Sequence, residues 1–332
     1  MGHSAIVLRQ DSVCLESPQT EAAASLLTGE NQMTPSTEEP IAEKPPTTAT
    51  LLASCDDRPG LVASLSQLLF ALGLNILDAD QHTDTKAGKF FHRIRFDMAV
   101  RNGETTIDQA TLEGAIREVA DRFEMNCELR LDREVQQVAI FVSKTDHCLY
   151  DLLLRHRSGD LHCDIAVIIS NHPDLEPIAK QFGIDYHVFP ITKETKEEQE
   201  QREIALLREY KIDLVVMARY MQILSAQMMK AYPMKIINIH HSFLPAFQGG
   251  RPYHQAYDRG VKRIGATAHY ATLDLDEGPI IEQDVVRVSH RDTPGELVRK
   301  GRDVERTVLS RAVAWHLDGR VLVYDNKTVV FD

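Results

Sequence analysis

The stretch covering residues 235–279 holds an amide, an imidazole and two carboxylates at a spacing that suits polar catalysis. Asn238 and His240 stand two residues apart in a short apolar strand, so their side chains point to the same face. Asp274 and Asp276 follow in a later loop. A carboxylate can take a proton from water or an amine, and an imidazole and an amide can donate to the oxyanion formed when a carbonyl is attacked. These residue types predict acyl transfer or amide hydrolysis, and their spacing alone leaves the choice of aspartate open.

Three further histidines near this stretch raise the question of a metal site. They are His241, His254 and His269. Because His240 and His241 are adjacent, their side chains should diverge on a strand, and no HExxH spacing is present. We therefore predict no metal, and hydrogen-bonding structural roles for these three residues.

Other classes of chemistry find little support. The sequence has neither a GxGxxG turn, a Walker lysine loop nor a GxSxG elbow, and residues 143–148 (SKTDHC) follow the first strand of the second domain. The net charge of −12 argues against a surface that binds nucleic acid. No apolar run approaches the length that spans a membrane. We expect neither nucleic-acid nor membrane partners.

The five cysteines are scattered, odd in number and without a CxxC pair. A disulfide framework or a zinc ribbon is therefore not expected, and a reducing, cytoplasmic location fits best. Cys148 stands at the start of a predicted helix, where a thiol pKa can be lowered. We favour a packing role for it.

A scaffold must position residues 235–279, and the apolar pattern of residues 138–332 predicts its fold. Continuous apolar runs at 138–143, 164–170 and 212–218 alternate with helical segments, a pattern typical of a mostly parallel sheet covered on both faces. In such sheets the ligand crevice opens at the carboxyl ends of the strands, where Asn238 and His240 should lie. The charged run 193–203 is interpreted as a solvated helix face.

The 332 residues suffice for two domains. Residues 1–47, rich in Pro, Thr and Glu, predict an unstructured extension. Residues 48–132 read as βαββαβ, the ferredoxin-like arrangement, and residues 133–137 as a charged linker.

The turn at 56–62 (DDRPGLV) and the GLNI segment at 73–76 make the first domain resemble an ACT domain. That resemblance implies a homo-oligomer and an amino-acid effector, glycine or methionine, bound at the strand–helix junction and at the Asn75–Ile76 position, usually across a dimer interface. The implied effector residues are Asp56, Arg58, Gly60, Leu61, Asn75 and Ile76. The alternative is that the module only builds the oligomer.

The segments NIHHSFLPAF and LDEGPII, at 238–247 and 275–281, resemble the signature of the 10-formyltetrahydrofolate-dependent formyltransferases over residues 137–332. The resemblance implies a catalytic trio of Asn238, His240 and Asp276, since Asp274 falls two residues too early. It also implies a Rossmann-like formyltransferase fold and a pterin pocket at the 218–225 loop, with no separate cofactor. The implied substrate contacts are Tyr220, Met221, Gln222, Ile223, Leu224, Leu273 and Asp274.

Within this family the chain is similar to the hydrolytic branch, in which water replaces the amine acceptor. Residues 143–148 stand where transferases acting on glycinamide ribonucleotide carry a glycine-rich phosphate turn, and the ending NKTVVF at 326–331 is also similar to that branch. The resemblance implies hydrolysis of 10-formyltetrahydrofolate to tetrahydrofolate and formate, with Asp276 activating water and His240 and Asn238 stabilising the oxyanion. The alternatives are formyl transfer to an amine and a non-catalytic protein that senses folate or amino acids.

Overall fold

A computed structural model describes residues 48–99, 107–246 and 251–332. The extension expected at residues 1–47 lies outside the described residues. The N-terminal domain, residues 48–131, has the predicted βαββαβ order. Its elements are β1 (Thr48–Asp56), α1 (Leu61–Ala71), β2 (Asn75–Asp84), β3 (Lys89–Asp97), α2 (Gln109–Phe123) and β4 (Asn126–Leu131).

One antiparallel sheet in the order β2-β3-β1-β4 forms the N-terminal domain, with both helices on one face. Helix α1 buries Leu61, Leu65 and Leu69, one residue per turn, against this face. The opposite face is also covered, because Leu52 and Phe91 pack against Val329 and Phe331 near the end of the chain. This second contact explains why β3 is buried along most of its length instead of on alternate residues.

The C-terminal domain, residues 136–332, begins inside the segment read as a linker, since β5 starts at Gln136. Its strands are β5 (Gln136–Val142), β6 (Cys163–Ser170), β7 (Asp185–Val188), β8 (Leu214–Met217), β9 (Ile236–His240), β10 (Arg263–Tyr270), β11 (Ile280–Arg287), β12 (Val321–Tyr324) and β13 (Lys327–Val330). Its helices are α3 (His147–Ser158), α4 (Glu176–Phe182), α5 (Lys196–Glu209), α6 (Ala226–Ala231), α7 (Pro252–Arg259) and α8 (Pro294–Leu317).

The central sheet has the order β11-β10-β9-β8-β5-β6-β7. The five strands from β9 to β7 pair in parallel, and β10 and β11 are antiparallel, which confirms the mostly parallel α/β prediction. Successive residues of β5 enter the two cores on opposite sides of the sheet: Ile140 and Val142 on one side, Ala139 and Phe141 on the other. The carboxyl ends of β5, β8 and β9 therefore meet at one rim, where Asn238 and His240 lie.

The interpretation of residues 193–203 as a solvated face is wrong for Glu200 and Glu203, which are 4% and 1% exposed. Both stand on the inner face of α5 with Ile204 and Leu207. Glu200 accepts a hydrogen bond from the Ser225 backbone N–H. Burial raises the pKa of Glu203 to about 7, even though it accepts a hydrogen bond from a tyrosine hydroxyl.

Helix α8 connects the site region to the N-terminal domain. Its N-terminus carries a capping box between Thr293 and Glu296. At the other end Arg130 of β4 donates to the carbonyl of His316 at 2.6 Å, so a guanidinium meets the negative end of the helix dipole. Among the helices of the described ranges, none combines the length and apolar character needed to cross a membrane.

Candidate active site

The predicted trio comes together at the carboxyl end of β9. His240 Nδ1 lies 3.2 Å from Asp276 Oδ1, and Asn238 stands two residues earlier on the same strand. Asp276 reaches the pair from the loop between β10 and β11. Asp274 lies exposed in this loop, so the structure brings Asp276, not Asp274, to the imidazole.

His269 belongs to the same cluster. It faces Asn238 across the β9–β10 ladder, and its Nε2 lies 3.2 Å from Asn238 Nδ2 and 3.8 Å from Asp276 Oδ1. Its Nδ1 lies 2.9 Å from the carbonyl of Tyr270, so Nδ1 carries the proton and Nε2 accepts from the Asn238 amide. The sequence predicts a hydrogen-bonding role for His269. It does not predict the contact with Asn238, because the register between β9 and β10 cannot be read from residue spacing.

The loop that carries Asp276 is tightly wound. Asp276 has φ 59°, in the left-handed region that aspartate tolerates better than most residues. The backbone N–H of Tyr270 donates to the carbonyl of Pro279 at 2.9 Å and closes the loop. Gly278 packs so closely on the Tyr270 carbonyl that a side chain there has no room. The loop conformation thus determines where the carboxylate points.

The electrostatics favour an ionised Asp276. Burial raises the pKa of its carboxyl, but the hydrogen bond from His240 and the neighbouring imidazoles outweigh burial and leave the pKa below its usual value. Burial also lowers the pKa of His269, which keeps that ring neutral. His240 Nε2 is buried and has no hydrogen-bond partner within the described ranges. Because Nδ1 is occupied by Asp276, Nε2 is the atom free to meet a ligand.

A small open cavity of about 40 Å³ adjoins the cluster, enough for roughly two or three water molecules. Asn238, His269 and Asp276 line it on one side. Of the residues expected to contact substrate, Gln222, Ile223, Leu224 and Leu273 line it as well.

Exposed apolar side chains from two loops surround this cavity. They are Met221, Ile223, Leu273 and Leu275, which are 57–71% exposed. Apolar side chains grouped in this way around a polar cleft are typical of a surface that a flat ligand covers. Met221 and Asp274 themselves do not line the cavity.

Tyr220 does not reach the cavity. It is 4% exposed, its hydroxyl donates to Glu203 Oε1 at 3.0 Å, and its ring meets Phe141 edge to face at 5.1 Å. The Tyr220 side chain therefore fixes the 218–225 loop to the hydrophobic core that contains Phe141.

A second buried cluster lies at the same rim, around Glu305 of α8. Glu305 is 1% exposed and accepts hydrogen bonds from Tyr253 Oη and from His147 Nε2, the latter at 2.8 Å. Arg219 Nε lies 3.5 Å from Glu305 Oε2. Burial raises the Glu305 pKa, but these partners outweigh burial and keep it below its usual value. The carboxylate is therefore held ionised against a guanidinium.

Three potential ligand atoms, from His147, Cys148 and Glu305, lie within 4.8 Å of one another. The carboxylate already has three partners, and burial raises the pKa of the Cys148 thiol well above its usual value. A protonated thiol is a poor metal ligand, so this donor set fits packing and hydrogen bonding better than a metal. The packing role expected for Cys148 agrees with its complete burial.

His241 departs from the expectation that its side chain would diverge from His240. Strand β9 ends at His240, and the two rings lie 5.3 Å apart, so that expectation is wrong. Burial lowers the pKa of His241 to about 3, and the positive charge of Arg219 adds to the effect. His241 is therefore a neutral ring between His240 and the cluster around Glu305.

The structure also places the expected effector residues of the N-terminal domain. Asp56 ends β1 and pairs with Lys89 at 2.7 Å, and Gly60 and Asn75 are exposed. Leu61 is 2% exposed and belongs to the core. Arg58 is half-buried beside the β1–α1 junction, whereas Asn75 and Ile76 begin β2 at the opposite end of the sheet.

Comparison with known proteins gives consistent matches. Residues 136–313 match the formyl transferase family and residues 49–113 match the ACT domain. A formyltetrahydrofolate deformylase of Synechocystis is 55% identical over 86% of this chain and 98% of its own length, and one of Bacillus subtilis is 49% identical over 85% and 93%. The crystal structure of a formyltetrahydrofolate deformylase from Pseudomonas syringae superposes with a TM-score of 0.83, at 46% identity over 86% of this chain and 94% of that one. A glycinamide ribonucleotide transformylase from Symbiobacterium toebii gives a TM-score of 0.56 at 30% identity, over 62% of this chain and 98% of that one.

Proposed function

This chain belongs to the formyl transferase family and, within it, to the formyltetrahydrofolate deformylases, and from that premise we propose that it hydrolyses 10-formyltetrahydrofolate to tetrahydrofolate and formate. The observation that carries the proposal is the His240–Asp276 pair beside Asn238, with a buried imidazole nitrogen left free. This is an arrangement for attack on a carbonyl without a covalent enzyme intermediate. The cavity next to Asp276 leaves room for a water molecule beside the carboxylate.

Three side chains divide the chemistry. The Asp276 carboxylate, ionised because its pKa lies below the usual value, holds the attacking water and accepts a proton from it. As the oxygen–carbon bond forms, Asn238 and the protonated Nε2 of His240 donate to the developing oxyanion. When the carbon–N10 bond breaks, N10 leaves with a proton from His240. Formic acid then loses its own proton to give formate, and Asp276 releases its proton to solvent while His240 takes one up, which restores both side chains.

His269 orients Asn238 in this mechanism. Its neutral Nε2 accepts one amide N–H of Asn238 and leaves the other for the formyl oxygen. The amide orientation is therefore set before the substrate arrives. Pre-set donors of this kind contribute most of their effect in the transition state.

The side of the site after β5 supports water over a larger acceptor. Ser143 donates to Asn171 Oδ1 at 2.7 Å and accepts from the Met221 backbone N–H, while His147 is bound to Glu305. Both side chains are therefore occupied by other residues of the fold. The segment 143–148 also has no glycine of the kind that lets a backbone wrap closely around a phosphate.

Formate release measured with and without glycinamide ribonucleotide tests the proposal. We expect purified protein to release formate and tetrahydrofolate in equal amounts from 10-formyltetrahydrofolate alone. Tetrahydrofolate release that required the amine, with the formyl group recovered on the amine and not as formate, would assign the chain to formyl transfer. Folate binding without any turnover would assign it to sensing.

For the N-terminal domain we propose an amino-acid effector, glycine or methionine, near residues 56–61 and Asn75. The ACT match and the exposure of Asp56 and Gly60 at the β1–α1 junction support it, and Asn75 is exposed at the opposite end of the sheet. We further propose that this domain builds a homo-oligomer. Calorimetry with both amino acids and light scattering of the intact protein check these points; the absence of binding would leave the domain an assembly role only.

A further inference from the structure

The β12–β13 hairpin at the end of the chain touches the loop that carries Asp276. Asn326, in the two-residue turn of the hairpin, donates from Nδ2 to the backbone carbonyl of Glu277 at 2.7 Å. Thr328 donates to the carbonyl of Ile280 at 2.5 Å. Glu277 follows Asp276 directly, so the hairpin holds the peptide next to the catalytic carboxylate.

The same hairpin is bound to the N-terminal domain. Tyr324, which precedes the turn, donates to Asp84 Oδ2 at 2.8 Å, and its ring packs on Phe91 with 4.6 Å between centroids. Asp84 also accepts from the backbone N–H groups of Lys86 and Ala87, so it organises the turn between β2 and β3. Asp84 of the N-terminal domain thus contacts the β12–β13 hairpin, and the hairpin in turn contacts the loop that carries Asp276.

The base of the hairpin is fixed as well. Arg93 of β3, whose side chain is only 4% exposed, donates to the carbonyl of Gly319 at 3.1 Å and pairs with Asp78. Val329 and Phe331 pack on the N-terminal sheet. The hairpin is therefore in contact with the N-terminal domain at its base, along its strands and beside its turn.

We propose that Asn326 is a positioning residue for Asp276 and that the hairpin couples the N-terminal domain to the rate of hydrolysis. The left-handed backbone at Asp276 and the 3.2 Å contact with His240 both depend on the loop conformation, and Asn326 fixes one peptide of that loop. The inference rests on the proposed function. It adds a route by which an event at the N-terminal domain reaches the catalytic carboxylate.

Two substitutions separate the two halves of the proposal. Asn326→Asp keeps the shape of the side chain but places an acceptor against the Glu277 carbonyl, so we expect kcat to fall about tenfold. Tyr324→Phe keeps the ring on Phe91 and removes only the hydroxyl that binds Asp84, and we expect a fall of about threefold. Asp325→Asn is the matched control, since Asp325 is exposed and its left-handed φ of 49° suits asparagine equally well.

The readout is kcat together with hydrogen–deuterium exchange of the peptide covering residues 273–280 in the full-length protein. Both test variants should exchange this peptide faster than the wild type, and the control should not. Unchanged exchange and kcat within twofold in Asn326→Asp would overturn the positioning role. Unchanged loop exchange in Tyr324→Phe would overturn the coupling. Exchange is measured without turnover, so it decides both points even if the wild type releases no formate.

Discussion

The substitution Gly278→Ala tests whether the tight loop, and not merely the presence of three side chains, creates the active site. A Cβ built on Gly278 would lie 1.8 Å from the Tyr270 carbonyl oxygen, 3.0 Å from its carbon and 3.1 Å from Thr272 Cγ2, where ordinary contact begins at 3.4 Å. The oxygen belongs to the backbone of β10 and cannot rotate away. The loop must therefore shift by more than about 1 Å.

A shift of that size separates Asp276 from His240, whose closest atoms are 3.2 Å apart. Displacing a catalytic group by about 1 Å costs roughly 100-fold in rate, close to 3 kcal/mol of transition-state stabilisation. We expect kcat to fall by about this factor. Overpacking should also reduce the free energy of unfolding by about 1–3 kcal/mol.

Gly295→Ala provides the matched control, because its Cβ would meet only Thr293 Oγ1 at 3.9 Å in the first turn of α8. Formate release, circular dichroism and urea unfolding should be measured on both variants. The control should keep wild-type turnover and unfold at slightly higher urea. A Gly278→Ala protein that stays folded and turns over within threefold of the wild type would refute the reasoning.

Two further predictions concern buried carboxyl groups. Glu305→Gln leaves the Arg219 guanidinium without its counter-charge, so urea unfolding should show a loss of about 3–5 kcal/mol, much of it recovered when Arg219→Met is added; no recovery would contradict the ion pair. Burial raises the pKa of the Glu203 carboxyl in the folded protein to about 7, from its ordinary 4.5. Ionisation of this carboxyl therefore opposes folding, and its contribution to the free energy of unfolding is lost as pH rises between those two values. Glu203→Gln should therefore become progressively more stable than the wild type from pH 5 to pH 8, by roughly 3 kcal/mol at most, and a pH-independent difference in melting temperature would contradict this.

Much of the fold follows from periodicity. The apolar runs that became β5, β6 and β8 predicted a parallel sheet, and the sheet predicted a rim where strands end. The sequence pattern therefore places Asn238 and His240 at this rim, where the structure has them. Asp276 needed more, because a loop carries no periodic signal; only the family signature separated it from Asp274, and the geometry agrees.

The remaining features depend on tertiary contacts. Glu200 and Glu203 were assigned to solvent because a run of charges usually is, although Glu200, Glu203, Ile204 and Leu207 do share one helix face. Tyr220 lies in the core with its hydroxyl bound to Glu203. A prediction that leaves Glu203 in solvent cannot place Tyr220 there. Strand β3 is buried along most of its length although it carries His92, Arg93 and Arg95, so its sequence does not indicate that the sheet is covered on both faces. No sequence pattern indicates that the covering element is the C-terminal hairpin.

The most direct test compares Asp276→Asn with Glu277→Gln. Both remove one carboxylate from adjacent positions, but Glu277 directs its side chain to solvent and takes no part in the proposed chemistry. Formate release from 10-formyltetrahydrofolate, with no amine present, should fall about 1,000-fold in Asp276→Asn while folate binding persists, and should stay near the wild-type rate in Glu277→Gln. Near-normal formate release by a folded Asp276→Asn protein would contradict the account.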